Sequence, residues 1–120
     1  MRAIWLGYAK ITDGFGDIPY SEGGKGKSQD ILLPKYDTQE SIYKDMIIRL
    51  TSSINVLKSA DPAMAYPNSD PIYDNDLGKW VRFANSVRLR LAMRLRYADA
   101  GLSQSTVTPC LSEPLMENPE

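Results

Sequence analysis

Residues Asp70 to Asp99 read DPIYDNDLGKWVRFANSVRLRLAMRLRYAD, the longest helical pattern in the chain. Set on a wheel at about 100° per residue from Trp80, the residues Leu77, Ala84, Val87, Leu91, Leu95 and Ala98 fall in one narrow sector. Such a stripe needs a core to face. Leu89 and Met93 lie on the other side, beside Arg82 and Arg96, so the helix carries a second, smaller apolar stripe and is expected to pack on two sides. Asn75 or Asp76 is expected to cap its first free amides. Asp70, Asp74 and Asp76 do not fit an EF-hand loop: Gly78 falls in a ligand slot and no Glu follows at the required distance.

Working back, Ala60 to Asn75 holds three of the eight prolines and reads as a loop. Before it, Ile42 or Tyr43, Met46, Ile47, Leu50, Ile54 and Leu57 repeat at helical spacing as far as about Ser59. Asp37 or Thr38 caps that helix, Asp37 having Glu40 three residues on as in a capping box. Glu40 with Lys44, and Asp45 with Arg49, are favourable i,i+4 pairs. Residues 2 to 13 form a first helix, with Ile4, Tyr8 and Ile11 on one face, Trp5 beside it and Gly14 as its stop. Phe15 to Tyr20 then read as a structured turn, with Phe15, Ile18 and Pro19 buried. Ser21 to Lys35 read as a polar, Gly-rich surface connection, exposed from Gly23 to Ser28. Gly26-Lys27-Ser28 lacks the upstream glycine of a phosphate-binding loop, since Ser21 stands there. The tail, Ala100 to Glu120, has three prolines and no period, and is expected to be irregular.

The composition narrows the chemistry. The chain has 120 residues, net charge −1, no histidine and one cysteine, Cys110. Nothing favours nucleic acid or anionic lipid globally. The six basic residues of the last helix, Lys79, Arg82, Arg88, Arg90, Arg94 and Arg96, are spread round the wheel and read as solvated or ion-paired. Histidine-based triads are excluded, and neither a metal nor another cofactor is expected. No run reaches the ~18 apolar residues of a membrane span. Carboxylate pairs such as Asp13 with Asp17, or Asp70 with Asp74, sit in turns where local hydrogen bonds claim them. The expectation is an all-α, non-catalytic protein of antiparallel helices with long loops.

Three stretches add a family resemblance. DPIY, a short acidic link and KWVRFANSVRLRLAMRLRYAD resemble the SusD/RagB family of outer-membrane nutrient-binding lipoproteins, in its SusD-like branch. FGDIPYSE, Phe15 to Glu22, resembles that family's Phe-Gly-Asp-(Val/Ile)-Pro loop, and KYDTQESIYKD, Lys35 to Asp45, the start of the helix that follows it. The three come in the family's order and cover roughly residues 1 to 99. The resemblance implies a fold of tetratricopeptide-like helical hairpins and capture of a glycan or other nutrient at the cell surface, without bond cleavage. It also implies delivery to a TonB-dependent transporter of the SusC type, and membrane attachment only through a lipid anchor that this chain does not carry. Members are several-fold longer, so residues 1–99 are expected to be an internal segment of a larger domain, with 100–120 an irregular tail.

Sugars are held by aromatic faces beside planar polar groups. The loops offer Tyr20, Tyr36, Tyr66 and Tyr73 near Asn68 and Asn75; Tyr66, Tyr73 and Asn68 are the candidate ligand contacts. Tyr20 and Tyr73 have a competing role as packing anchors, and Trp5 and Trp80 read as helix contacts. A reading from another class is a helical protein-interaction module with an apolar groove. Leu89 and Met93 are expected to be exposed, or covered only by Leu102 to Met116.

Overall fold

Thr12 and Gly16 set the first boundary. The computed structural model describes residues 4–61 and 69–117. Its helices are α1 (Ile4–Phe15), α2 (Gly26–Gln29), α3 (Gln39–Ser59), α4 (Leu77–Arg94) and α5 (Ala100–Leu111). They fall into two compact units, Met1–Met46 and Ile47–Glu120, with α3 contributing to both.

In the first unit, α1 runs one turn position past Gly14. The residue in left-handed conformation is Gly16, at φ 75°, whose amide donates to the Thr12 carbonyl at 2.8 Å while the Thr12 hydroxyl donates back to the Gly16 carbonyl at 2.6 Å. Thr12 is fully buried and also accepts the Gln39 side-chain amide on its carbonyl. Phe15 is 81% exposed rather than buried. It shares an outward flank with Ile11, one turn earlier, because Ala9 and Thr12 take the inward positions. Ile18 is the anchor of the turn: it is buried and forms an isolated antiparallel bridge with Asp37.

That bridge decides which residue caps α3. The Asp37 carboxylate is taken by the Ser21 amide at 2.6 Å, the Ser21 hydroxyl at 3.0 Å and the Tyr20 amide at 3.2 Å. Thr38 therefore supplies the cap, its hydroxyl accepting from the Ser41 amide and its carbonyl from Ile42. Asp17 reaches across to accept the Gln39 amide at 2.9 Å. Glu40 pairs with Lys44 instead of closing a capping box. The Gly-rich connection is an organised loop. Glu22 accepts the Lys35 amide at 2.9 Å, α2 adds one helical turn, and Gly23, Lys25 and Gly26 are half-buried. Gly23 is required by a close approach, since a Cβ there would lie 2.7 Å from the Pro19 carbonyl oxygen. Gly23→Ala should thus cost about 1–3 kcal/mol through overpacking, read as a lower urea midpoint. An unchanged midpoint would mean the loop yields freely.

The second unit is built round α4. Asp76 caps it, Oδ1 accepting from the Lys79 amide at 3.1 Å. Ala84, Val87, Leu91 and Leu95 are buried as their spacing predicts, and Val81 and Ala92 widen the buried face. The helix does not reach Asp99. The amides of Leu95 and Arg96 reach back only three residues, to the Ala92 and Met93 carbonyls, and this tightened turn leaves Ala98 exposed.

The tail differs most from expectation, since Ala100–Leu111 is α5, capped by Asp99 accepting from the Leu102 amide at 2.9 Å. Its buried residues are Ser103, Thr106 and Cys110. They recur at helical spacing but are small and polar, so no apolar period betrays them. Their small size lets α5 lie close on α4: the Ser103 hydroxyl donates to the Ala92 carbonyl at 2.8 Å. At the far end Asn85 of α4 donates to the carbonyl of Cys110 at 3.0 Å and to that of Pro114 at 3.2 Å. The pairing of 92 with 103 and of 85 with 110 makes α4 and α5 an antiparallel hairpin.

A buried polar network locks this hairpin to α3. Arg88, 6% exposed, donates to Cys110 Sγ at 3.1 Å, to Asn85 Oδ1 at 2.9 Å and to Thr51 Oγ1 at 3.2 Å. The cation stands at the C-terminal end of α5, where the unpaired carbonyls carry partial negative charge. After α5 the chain runs back over α4: the Met116 amide donates to Ser86 Oγ at 2.9 Å, Glu117 pairs with Arg82, and Glu113 pairs with Lys58 of α3. Leu89 is half-buried and Met93 is 46% exposed.

Candidate functional site

Asp70 organises the turn that leads into α4. Its Oδ1 accepts the amides of Ile72 at 3.0 Å and Tyr73 at 3.3 Å; its Oδ2 accepts the Asn75 amide at 3.1 Å and the Trp80 indole N–H at 2.5 Å. Desolvation pushes this carboxyl upward, but the hydrogen bonds from Trp80 and the three amides outweigh it and hold the pKa below the ordinary carboxylate value. Four donors already occupy the acceptor positions of Asp70. Asp74 and Asn75 sit at φ 51° and 63°, a conformation that these two residue types tolerate better than most.

Three aromatic rings pack on this turn. Tyr73 meets Trp80 edge-on at 5.0 Å, Trp80 meets Phe83 edge-on at 5.7 Å, and Tyr73 lies tilted to Phe83 at 6.4 Å. All three are half-buried. Outside them an open depression of about 440 Å³ is lined by Asp70, Pro71, Ile72, Tyr73, Asp74 and Lys79. Its lining is mixed: Pro71, Ile72 and Tyr73 stand beside the carboxylates of Asp70 and Asp74 and the ammonium of Lys79.

Of the residues singled out from sequence, Tyr73 borders this depression, its ring edges held by Trp80 and Phe83. Tyr66 and Asn68 lie outside the described residues. Tyr20 is an anchor, bonded to Asp45 at 2.6 Å and edge-on to Tyr8 at 4.9 Å. Tyr36 is exposed. The parts that sequence reasoning missed are Asp70's role as hub and the Asn85–Arg88–Cys110 network. An Asp-Pro followed by free amides is the signal of the first, an Asx-type turn; the second has no local signal, because Cys110 lies 22 residues from Arg88 and 25 from Asn85.

Asp37 and Asp70 give this architecture an acid limit. The Ser21 amide chiefly lowers the first, and the second is lowered as described. A carboxyl whose pKa is depressed on folding contributes stability above its unfolded pKa of ~3.9, and that contribution is lost as pH falls through the lower folded value. Acidification below about pH 4 should therefore release the Trp80 indole. In a Trp5→Phe background its emission should shift on acidification, and Asp70→Asn should flatten that titration. Stability that rises towards acid would contradict the assignment.

Among the described residues no helix is long and apolar enough to cross a membrane. The fold is an all-α arrangement of helical hairpins of the tetratricopeptide-like class. The chain belongs to the SusD-like family: the family described as "starch-binding associating with outer membrane" matches residues 3–120. Solved structures agree. A SusD homologue from Bacteroides uniformis is 34% identical with a TM-score of 0.79, over 92% of this chain and 22% of its own. A chitin-binding SusD homologue from Flavobacterium johnsoniae is 31% identical with a TM-score of 0.77, over 92% of this chain and 23% of its own. A SusD-like protein from Bacteroides thetaiotaomicron is 27% identical with a TM-score of 0.71, over 86% of this chain and 21% of its own. The chain thus spans under a quarter of the length of these relatives. No curated protein matches it.

Proposed function

We propose that this chain is the helical scaffold, and one edge of the binding surface, of a non-catalytic outer-membrane protein that captures a glycan and hands it to a TonB-dependent SusC-type transporter. The family match across residues 3–120 is the observation that carries this reading. The relative described as chitin-binding points the same way. In the larger protein residues 1–99 form part of one domain. Tyr66 and Asn68, with Tyr73 at the depression, are the proposed ligand contacts: a sugar's C–H face stacks on a ring while its hydroxyls take the amide and carboxylate groups at the rim.

Affinity electrophoresis in gels containing soluble starch or glycol chitin tests this. Retardation in one of them, weakened by Tyr66→Ala with the helical circular dichroism unchanged, is expected. Migration unaffected by every polysaccharide would overturn the proposal. The exposed pair Leu32 and Leu33, the latter 94% exposed, favours a second reading, a helical protein-interaction module. Binding of apolar helical peptides without any glycan binding would select it.

A further inference from the structure

The strap that follows α5, Glu113 to Glu117, is fastened along its whole length. Glu113 pairs with Lys58, and the Pro114 carbonyl accepts from the Asn85 side chain at 3.2 Å. The Met116 amide donates to Ser86 Oγ at 2.9 Å, and Glu117 pairs with Arg82. The backbone of Met116 is thus held from both sides, yet the residue is 52% exposed. The Tyr73 hydroxyl donates to Met116 Sδ at 3.9 Å. Ile72, next to Tyr73 in the chain, is largely exposed as well.

Tyr73 therefore belongs to two places at once: it borders the depression, and its hydroxyl meets the strap. A thioether sulfur is a weak acceptor, so a sugar hydroxyl can replace it on Tyr73 with a stronger bond. A methionine side chain is flexible and polarisable and adapts to the surface laid on it. Carried on a backbone that is already fixed, it offers contact at little further ordering cost. The charges beside it, Arg82 and Glu117, neutralise each other, so this patch suits an uncharged partner. Its continuity with the depression, whose carboxylates and ammonium suit hydroxyl groups, favours a saccharide over an apolar peptide.

We infer that Met116 is a ligand contact: with Ile72 it forms a second subsite, adjoining the depression at Tyr73, for a further uncharged unit of the bound glycan. This rests on the glycan-binding reading and adds a residue to its site.

Methyl NMR of the full chain tests the inference. With ¹³C-methyl methionine each of the five methionines gives its own signal, and that of Met116 is identified by its loss in Met116→Leu. The probes are N-acetylglucosamine, chitotriose, glucose and maltotriose. At least one trisaccharide should shift the Met116 methyl saturably, while the methyl of Met93, ten residues beyond Phe83 on α4, should stay in place. Met116→Ala should weaken that trisaccharide about two- to tenfold, the worth of one thioether contact, and leave its monosaccharide unchanged. Met116→Leu should keep most of the affinity. Circular dichroism checks that each variant is folded. Trisaccharide binding that leaves the Met116 methyl unmoved, or that Met116→Ala does not weaken, would overturn the inference while leaving the glycan reading intact. Equal weakening of the monosaccharide and the trisaccharide would place the effect on Tyr73 alone and overturn it too. Binding of no saccharide would overturn both.

Discussion

Arg88→Ala is expected to destabilise the C-terminal unit by about 2–4 kcal/mol, from acceptors left unsatisfied and the volume lost, a sizeable part of the ~5–15 kcal/mol available to a typical domain. The substitution removes the donor to Asn85 Oδ1, to Cys110 Sγ and to Thr51 Oγ1, the last keeping its own bond to the Ile47 carbonyl. It also opens a void at the junction of α3, α4 and α5. Asn85 would lose the group that orients its amide towards the last carbonyls of α5, so α5 should fray first. Arg88→Met separates the two contributions: it keeps much of the volume and loses only the hydrogen bonds, and should cost less than Arg88→Ala. Urea unfolding followed by Trp80 fluorescence, with hydrogen exchange along α5, measures both. If Arg88→Ala and wild type share a midpoint, the network is not what fastens the hairpin.

Leu50→Ala should cost about 2–5 kcal/mol. Leu50 is almost fully buried on α3 between Ile47 and Ile54, which are buried as well. Three carbons removed from such a site leave a cavity that stiff β-branched neighbours fill poorly. Ile48→Ala, two residues away, is the internal control: Ile48 is largely exposed, and the change should stay within about 0.5 kcal/mol. Equal effects at the two positions would mean that α3 faces the other way.

This contrast also marks how far the sequence could be read. The repeat Ile42, Met46, Leu50, Ile54 defined α3 and its inner face because every buried position is large and apolar. The stripe of α4 was legible for the same reason through Leu91 and Leu95. Its end was not, because the tightened turn at Leu95 to Ala98 uses residues that also suit a helix, and the spacing continues unbroken past it. The helix α5 was illegible because its inward residues, Ser103, Thr106 and Cys110, are chosen for size and hydrogen bonding, and Pro109 stands in its last turn. At Phe15 an aromatic in a turn motif read as an anchor, whereas Ile18 does that work. The candidate site was legible in part. The turn into α4 and its Asp76 cap followed from local chemistry, and Tyr73 was placed in it, but Asp70's four acceptances depend on how the turn closes on Trp80. The motifs themselves pointed to the family that the match over residues 3–120 defines.

Glycan capture at the loop before α4 is the central claim. The most direct measurement is a ¹H–¹⁵N correlation titration of the chain with a malto-oligosaccharide and a chito-oligosaccharide. Saturable shifts are expected with at least one of them, concentrated in the amides from Tyr66 to Phe83 and including the Trp80 indole N–H. Saturable shifts confined to other parts of the chain, or none with either sugar, would contradict it.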